Sequence, residues 1–348
     1  MKKISNKDNP MNETKQNKSL QIDNIVTIAD KDDFFANASK KHFTLAIIGI
    51  VKNADKNKFS KIRSEFNTLY IYNQNIQILD LGNIAFNEKK IKKLIAEINE
   101  KKLHTVFLCA NDEISSTVLQ IQQDKNSSTA LILSDIRSEN KHISKITDGK
   151  NEISIIGYQN YFSDKILINK LNGNNCTTIR LSEYRSEPHT IEPILRESNF
   201  MAIDLSAVRS SDGGTKQSPN GLYAEELCSI ANCAGLSNKL SRINIVCESD
   251  ENILTSKLAA QTVWHFADGL SNRIIETPQK NKFKKFIVDM GNLSSNLTFY
   301  KSSITNRWWM EISNGKKTKI SACTFNDYQE ACSKNIPVRW INEIQKMG

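Results

Sequence analysis

Residues 201–214 read MAIDLSAVRSSDGG, and after Thr215-Lys216-Gln217 residues 218–240 read SPNGLYAEELCSIANCAGLSNKL. The first five or six residues form an apolar run suited to a buried strand. A polar loop follows at the strand's carboxyl end, and the second stretch has the spacing of a helix. This strand–loop–helix unit builds parallel sheets, and it leaves Asp204 and Ser206 where the strand runs out.

The same alternation extends in both directions. Residues 44–51 (TLAIIGIV) are apolar on both faces, as a parallel strand must be. Strands are expected at 76–81, 104–109, 129–134, 152–157, 177–181, 200–205 and 243–247, with late ones at 285–289 and 297–300. Helices are expected at 57–72, 88–100, 115–123, 225–234 and 254–269. Within 88–100 (EKKIKKLIAEINE), Ile91, Leu94, Ile95 and Ile98 share one helical face. Thirteen Gly and six Pro leave no Gly/Ser-rich linker between two halves. The expectation is one three-layer α/β/α domain over 41–348, with a mainly parallel sheet, after a flexible tail at 1–40.

Composition narrows the functional classes. The chain is 39% hydrophobic and 24% charged, which suits a globular protein. No apolar run approaches the roughly 20 residues that span a bilayer, and residues 1–21 lack the apolar centre of an export signal. A cytoplasmic location and no membrane partner are therefore expected. The formal charge of +9 raises nucleic acid as a partner. Lysines are nevertheless interleaved with acids, and the one dense cluster, 280–285 (KNKFKK), has no aromatic-basic array beside it, so no nucleic-acid partner is expected. Seven cysteines without a Cys-x-x-Cys pair read as small buried hydrophobes.

Ligands of such sheets sit where loops leave the carboxyl ends of the strands. Acidic residues gather there: Asp112 and Glu113 after 104–109, Asp135 and Glu139 after 129–134, Asp204 after 200–205, and Glu248, Asp250 and Glu251 after 243–247. Carboxylates at neighbouring strand tips can converge on a hard cation.

The order and spacing of these tips resemble the arginase/agmatinase/formimidoylglutamase (ureohydrolase) family, most closely a formimidoylglutamase-like branch. The stretches 156–162 (IGYQNYF), 218–240, 260–269 (AQTVWHFADG), 307–311 (RWWME), 327–329 (DYQ) and 336–340 (IPVRW) carry the resemblance, which covers roughly 43–345. It implies an arginase-like fold, and a pair of manganese ions whose bridging hydroxide attacks a guanidinium or formimino carbon. It also implies a trimer or hexamer.

The ligand positions depart from the family's pattern. Ala110, Asn111 and Asp112 occupy the second to fourth places of Gly-Gly-Asp-His, so Asp112 stands for a ligand histidine. Asp135, Arg137 and Glu139 occupy the places of Asp-x-His-x-Asp, and Asp204 and Ser206 those of Asp-x-Asp. Glu248 matches a substrate-binding glutamate. Both histidines are gone, and Arg137 would put a permanent cation into a dication site, which repels metal by several kcal/mol at short range. Two readings follow. In one, the protein is a non-catalytic relative with no metal cofactor; Arg137 pairs with Asp135, Asp204 or Glu139, and the protein acts by binding a small amino-acid-like ligand through Glu248. In the other, Asp112, Asp135, Glu139 and Asp204 hold one manganese ion and the chain is a metal-dependent amidine hydrolase on a formimino or guanidino amino acid.

Other candidates weigh less. His189, in a polar loop, can be a general base but reads first as solvent-facing; His265, in VWHFADG, reads as a core histidine. Cys109 and Cys247 end strands without a histidine beside them. Ser218-Pro219-Asn220-Gly221 reads equally as a ligand loop or a turn. Asp212-Gly213-Gly214 lacks the context of a phosphate loop. In Arg307-Trp308-Trp309, one ring is expected in the core and the other at the surface, with packing on the sheet preferred over an interface.

Overall fold

A computed structural model describes residues 20–28, 44–53, 55–73, 76–124, 126–146, 151–172, 175–248, 252–278, 282–291 and 296–347. Residues 1–19 and 29–40 of the expected tail, and Asp250 and Glu251 among the strand-tip acids, lie outside the described residues. The elements in chain order are β1 (Leu20–Gln21), β2 (Val26–Ile28), β3 (Leu45–Val51), α1 (Ser60–Asn67), β4 (Tyr70–Ile71), β5 (Ile78–Ala85), α2 (Glu88–Glu100), β6 (His104–Cys109), α3 (Asp112–Gln122), β7 (Ser128–Ile132), α4 (Lys141–Ile146), β8 (Glu152–Tyr158) and α5 (Lys165–Asn172). There follow β9 (Cys176–Arg180), α6 (Leu181–Ser186), α7 (Ile191–Glu197), β10 (Phe200–Asp204), α8 (Ala224–Gly235), β11 (Arg242–Val246), α9 (Ile253–Ser271), β12 (Phe283–Val288), β13 (Leu297–Ser302), β14 (Trp308–Ser313), β15 (Thr318–Cys323), α10 (Phe325–Cys332) and α11 (Val338–Lys346).

Nine strands form one sheet in the order β2-β5-β3-β6-β11-β10-β7-β8-β9, and all its pairings are parallel. The α/β expectation holds. Strands β3, β7 and β11 are buried along their whole length, because helices cover both faces and both faces must then be apolar. Helix α2 has the bounds its periodicity predicts; it buries Ile91, Leu94, Ile95 and Ile98, and Asn87 caps it by accepting from the Lys90 amide at 3.1 Å.

Three features depart from expectation. Residues 20–28 join the fold instead of trailing from it: β2 pairs with β5 at the sheet edge, and Ile22 and Ile25 are buried. The strands expected at 285–289 and 297–300 do not extend the parallel sheet. They belong to a separate antiparallel sheet, β12-β13-β14-β15, because connections this short carry no crossover helix and can only join antiparallel neighbours. This second sheet packs on α10 and α11 through its own apolar cluster, including Phe299, Trp308, Met310 and Ile312. Trp308 and Trp309 are both buried, on opposite faces of β14: Trp308 stacks on Tyr328 at 4.8 Å, and Trp309 lies 4.3 Å from the guanidinium carbon of Arg196. Both rings therefore pack inside, where one had been expected at the surface. Among the described residues no helix is long and apolar enough to cross a membrane.

Candidate functional site at the strand ends

Strands β6, β11, β10 and β7 lie side by side, so their carboxyl ends bring Asp112, Glu248, Asp204 and Asp135 to one edge of the sheet. Two neighbouring groups form there.

The first centres on Asp135, which is buried at the end of β7. The Lys216 ammonium donates to Asp135 Oδ2 at 2.7 Å and to Ser134 Oγ at 3.0 Å. Ser134 Oγ is in turn 3.3 Å from Ser206 Oγ. Asp204 Oδ1 accepts from the Ser206 amide at 2.8 Å. Burial raises the Asp204 carboxyl above the ordinary carboxylate range; the Ser206 amide and the Lys216 charge oppose the shift, and Glu248 adds to it.

Local chain geometry delivers Lys216 to this place. After β10 the chain turns at Gly213, whose φ of +99° is left-handed. A Cβ on Gly214 would fall 1.8 Å from the Val208 carbonyl oxygen, so only glycine lets the chain double back this tightly. Asp212 holds the turn by pairing with Arg209 at 2.8 Å and capping the Ala224 amide at 3.1 Å. The Asp-Gly-Gly stretch is thus a structural turn. Ser218 is a turn residue too, donating to the Asn220 carbonyl at 2.8 Å.

Arg137 forms the expected ion pair with Asp135, but only at the edge of contact distance and without a hydrogen bond to it. Its Nε donates to the Phe162 carbonyl at 2.6 Å and stays 3.9 Å from Asp135 Oδ2, with the side chain half exposed. The Phe162 carbonyl holds the guanidinium away from Asp135, and Lys216, itself half exposed, makes the closer contact. Glu139 is exposed in the following turn, and no described hydrogen bond or ion pair ties it to the group. Lys216 and Ser134 were not singled out from the sequence. The available signal was a lone lysine two residues beyond a Gly-Gly turn, in the loop that leaves a strand-tip aspartate.

The second group lines a cavity of about 610 Å³ at the ends of β3, β6 and β11. Asp112 and Glu248 face it together with Asp55, Lys52, Lys58 and Lys141. Asp112 Oδ2 accepts from the Lys141 amide at 3.1 Å, and Lys58 Nζ donates to the Glu248 carbonyl at 2.9 Å. Asp112 is therefore drawn to the start of α4 and Asp135 to Lys216, so the two do not share a centre.

This donor set does not fit a pair of first-row metal ions. Among the described residues no three His, Cys, Asp or Glu side chains converge on one point. The best-placed carboxylate, Asp135, already holds an ammonium at contact distance. Of the remaining donors, the Asp204 carboxylate accepts from the Ser206 amide, and Ser134 and Ser206 offer neutral hydroxyls, poor substitutes for imidazole or carboxylate.

The other sequence candidates lie elsewhere. His189 is exposed beside the C-terminal sheet. His265 is half-buried against Trp264 at 4.9 Å; burial lowers its pKa and Asp268 opposes the shift. Cys109 and Cys247 are fully buried, and burial pushes the Cys109 thiol far above its ordinary value, so it does not ionise.

No family model matches the chain, and no curated protein matches it. Solved structures do. Trypanosoma cruzi formiminoglutamase with Mn2+ superposes with a TM-score of 0.58 at 14% identity, covering 70% of this chain and 100% of that one. Formimidoylglutamase from Bacillus subtilis gives 0.60 at 15% identity, covering 76% and 96%. Agmatine ureohydrolase of Thermoplasma volcanium gives 0.54 at 16% identity, covering 66% and 90%. At such identities the likeness concerns the fold alone: this chain has the α/β fold of these formiminoglutamase and agmatine ureohydrolase structures.

Proposed function

We propose that the chain is a non-catalytic relative of the ureohydrolases that acts by binding, with the Lys216 ammonium in place of a binuclear manganese site. One observation carries this reading: Lys216 Nζ lies 2.7 Å from Asp135 Oδ2 and 3.0 Å from Ser134 Oγ. The ammonium already neutralises the carboxylate. A divalent ion about 4 Å from the ammonium would meet a repulsion of about 4 kcal/mol per unit of metal charge at an effective dielectric near 20, which offsets the attraction of Asp135.

The ligand belongs in the adjoining cavity, whose volume suits a small molecule. Its wall carries both signs of charge, with Lys52, Lys58 and Lys141 near Asp55, Asp112 and Glu248. That pattern complements a zwitterion of amino-acid type, with Glu248 holding the cationic group. A cytoplasmic location and a homo-oligomer complete the reading.

The test is metal content after purification without chelator, joined to hydrolysis assays on formiminoglutamate, agmatine and arginine. The expected result is no bound manganese in millimolar Mn2+ and no urea, ammonia or formamide release. Two manganese ions per chain, or turnover of any of the three, would establish the amidine hydrolase instead.

A further inference from the structure

Away from the strand ends, a cavity of about 690 Å³ opens where α7 and the turn before it meet the C-terminal sheet and α10. Its size, and its place between two packed units, are those of small-molecule sites. Phe325 opens α10 with 51% of its surface exposed, its ring 5.4 Å from that of Trp308. Trp308 is itself stacked on Tyr328. The mouth therefore presents an aromatic face backed by a rigid cluster, with apolar surface left in water.

The charges around this face balance once the rim is counted, Arg196 and Arg307 against Glu192 and the exposed Glu187. One carboxylate, Glu192, lies between two guanidinium groups, 3.2 Å from Arg196 Nη2 and 3.3 Å from Arg307 Nε. An anion drawn to Arg307 would meet Glu192, and a cation drawn to Glu192 would meet both arginines. Glu187 and His189 stand at the exposed rim. What remains to recognise a ligand is uncharged: the exposed amides of Asn326 and Gln329, each carrying donors and an acceptor, the Asn326 Nδ2 also donating to Glu330 Oε1 at 3.5 Å.

We infer that this cavity binds an uncharged heteroaromatic ring, stacked on Phe325 and hydrogen-bonded at its edge by Asn326 and Gln329. Stacking uses the half-wet ring, the amides read the ligand edge, and the Glu192 ion pairs select against net charge. The site shares no lining residue with the strand-end cavity and stands independently of the function proposed for it.

The full chain would be titrated with adenine and nicotinamide as uncharged heteroaromatic probes, and with benzoate and benzylamine as charged single rings. Ligand-observed NMR and calorimetry would follow binding. At least one uncharged probe is expected to saturate, and both charged rings to bind about tenfold more weakly or not at all. Phe325→Ser and Gln329→Ala change exposed side chains, so both variants should keep the parent melting temperature, and each should weaken the probe by about tenfold. The inference falls if neither uncharged probe saturates, if benzoate or benzylamine binds as tightly, or if Phe325→Ser leaves the affinity unchanged.

Discussion

The Lys216 ammonium contacts Asp135 at 2.7 Å across 81 residues of sequence, joining the loop after β10 to the tip of β7. Lys216→Met removes this cation and leaves Asp135 with Arg137, 3.9 Å away, as its remaining described ion-pair partner. Lys216 is half exposed, so water screens the pair and its loss should cost about 1 kcal/mol. The sharper readout is metal response. The parent melting temperature should not move in millimolar Mn2+, whereas Lys216→Met should gain a few degrees as Asp135 and Asp204 become free to share an ion. A parent stabilised by Mn2+ would refute the role given to Lys216.

Acid should weaken the fold through His104. Burial, reinforced by the Arg273 charge, lowers its pKa from 6.5 to about 4. Between these values the unfolded chain binds a proton that the folded chain does not, so stability falls as pH drops through that window. The effect is on the order of 2 kcal/mol. Urea titrations from pH 7 to pH 4.5 should show this loss, and His104→Gln should flatten it; an unchanged slope in the variant would assign the loss to other groups.

Asp204 should act in the opposite direction. Its folded pKa is raised by burial, so just above the ordinary carboxylate range the folded chain holds the extra proton and gains stability as pH falls. Asp204→Asn keeps an acceptor for the Ser206 amide without the charge. The variant should be more stable than the parent at pH 7, with the advantage shrinking toward pH 4. If it is less stable at pH 7, the ionised carboxylate is favourable there.

Arg196 joins the C-terminal sheet to the main domain. Its buried Nη2 donates to the carbonyls of Trp308 at 2.8 Å and Cys323 at 3.2 Å. Arg196→Met removes a buried donor from both carbonyls and leaves Glu192 with Arg307 as its remaining described ion-pair partner, at a cost of about 3 kcal/mol. Arg196→Lys should recover part of the loss, because every described side-chain hydrogen bond and ion pair is made by Nη2 alone, while the flat guanidinium face over Trp309 is not replaced. Urea unfolding followed by tryptophan emission checks this; a loss below about 1 kcal/mol would show that the sheet docks through apolar packing.

Much of this fold was legible because its signals are periodic. Helix α2 repeats isoleucine and leucine on one face, and the central strands are continuous apolar runs that only a doubly covered parallel sheet can bury. The strand-tip acids were legible for the same reason, since strand ends can be located once strands can. What escaped depends on single backbone torsions and distant partners. Nothing near Lys216 announces that Gly213 turns left-handed and Gly214 packs on Val208, yet those two facts aim the ammonium. The place of Arg137 depends on a carbonyl 25 residues away. The edge strand β2 escaped because three residues with Ile28 in water carry too short a pattern to be read.

Strand β11 sits between β6 and β10 at the middle of the parallel sheet, although it follows both in the chain. A nascent polypeptide leaving the ribosome therefore carries β6 and β10 with an open slot between them until residue 246 has emerged. Until then two apolar strand edges lie bare, each a template for pairing with a second copy. Such late, long-range closure makes folding slow and holdase chaperones valuable during synthesis.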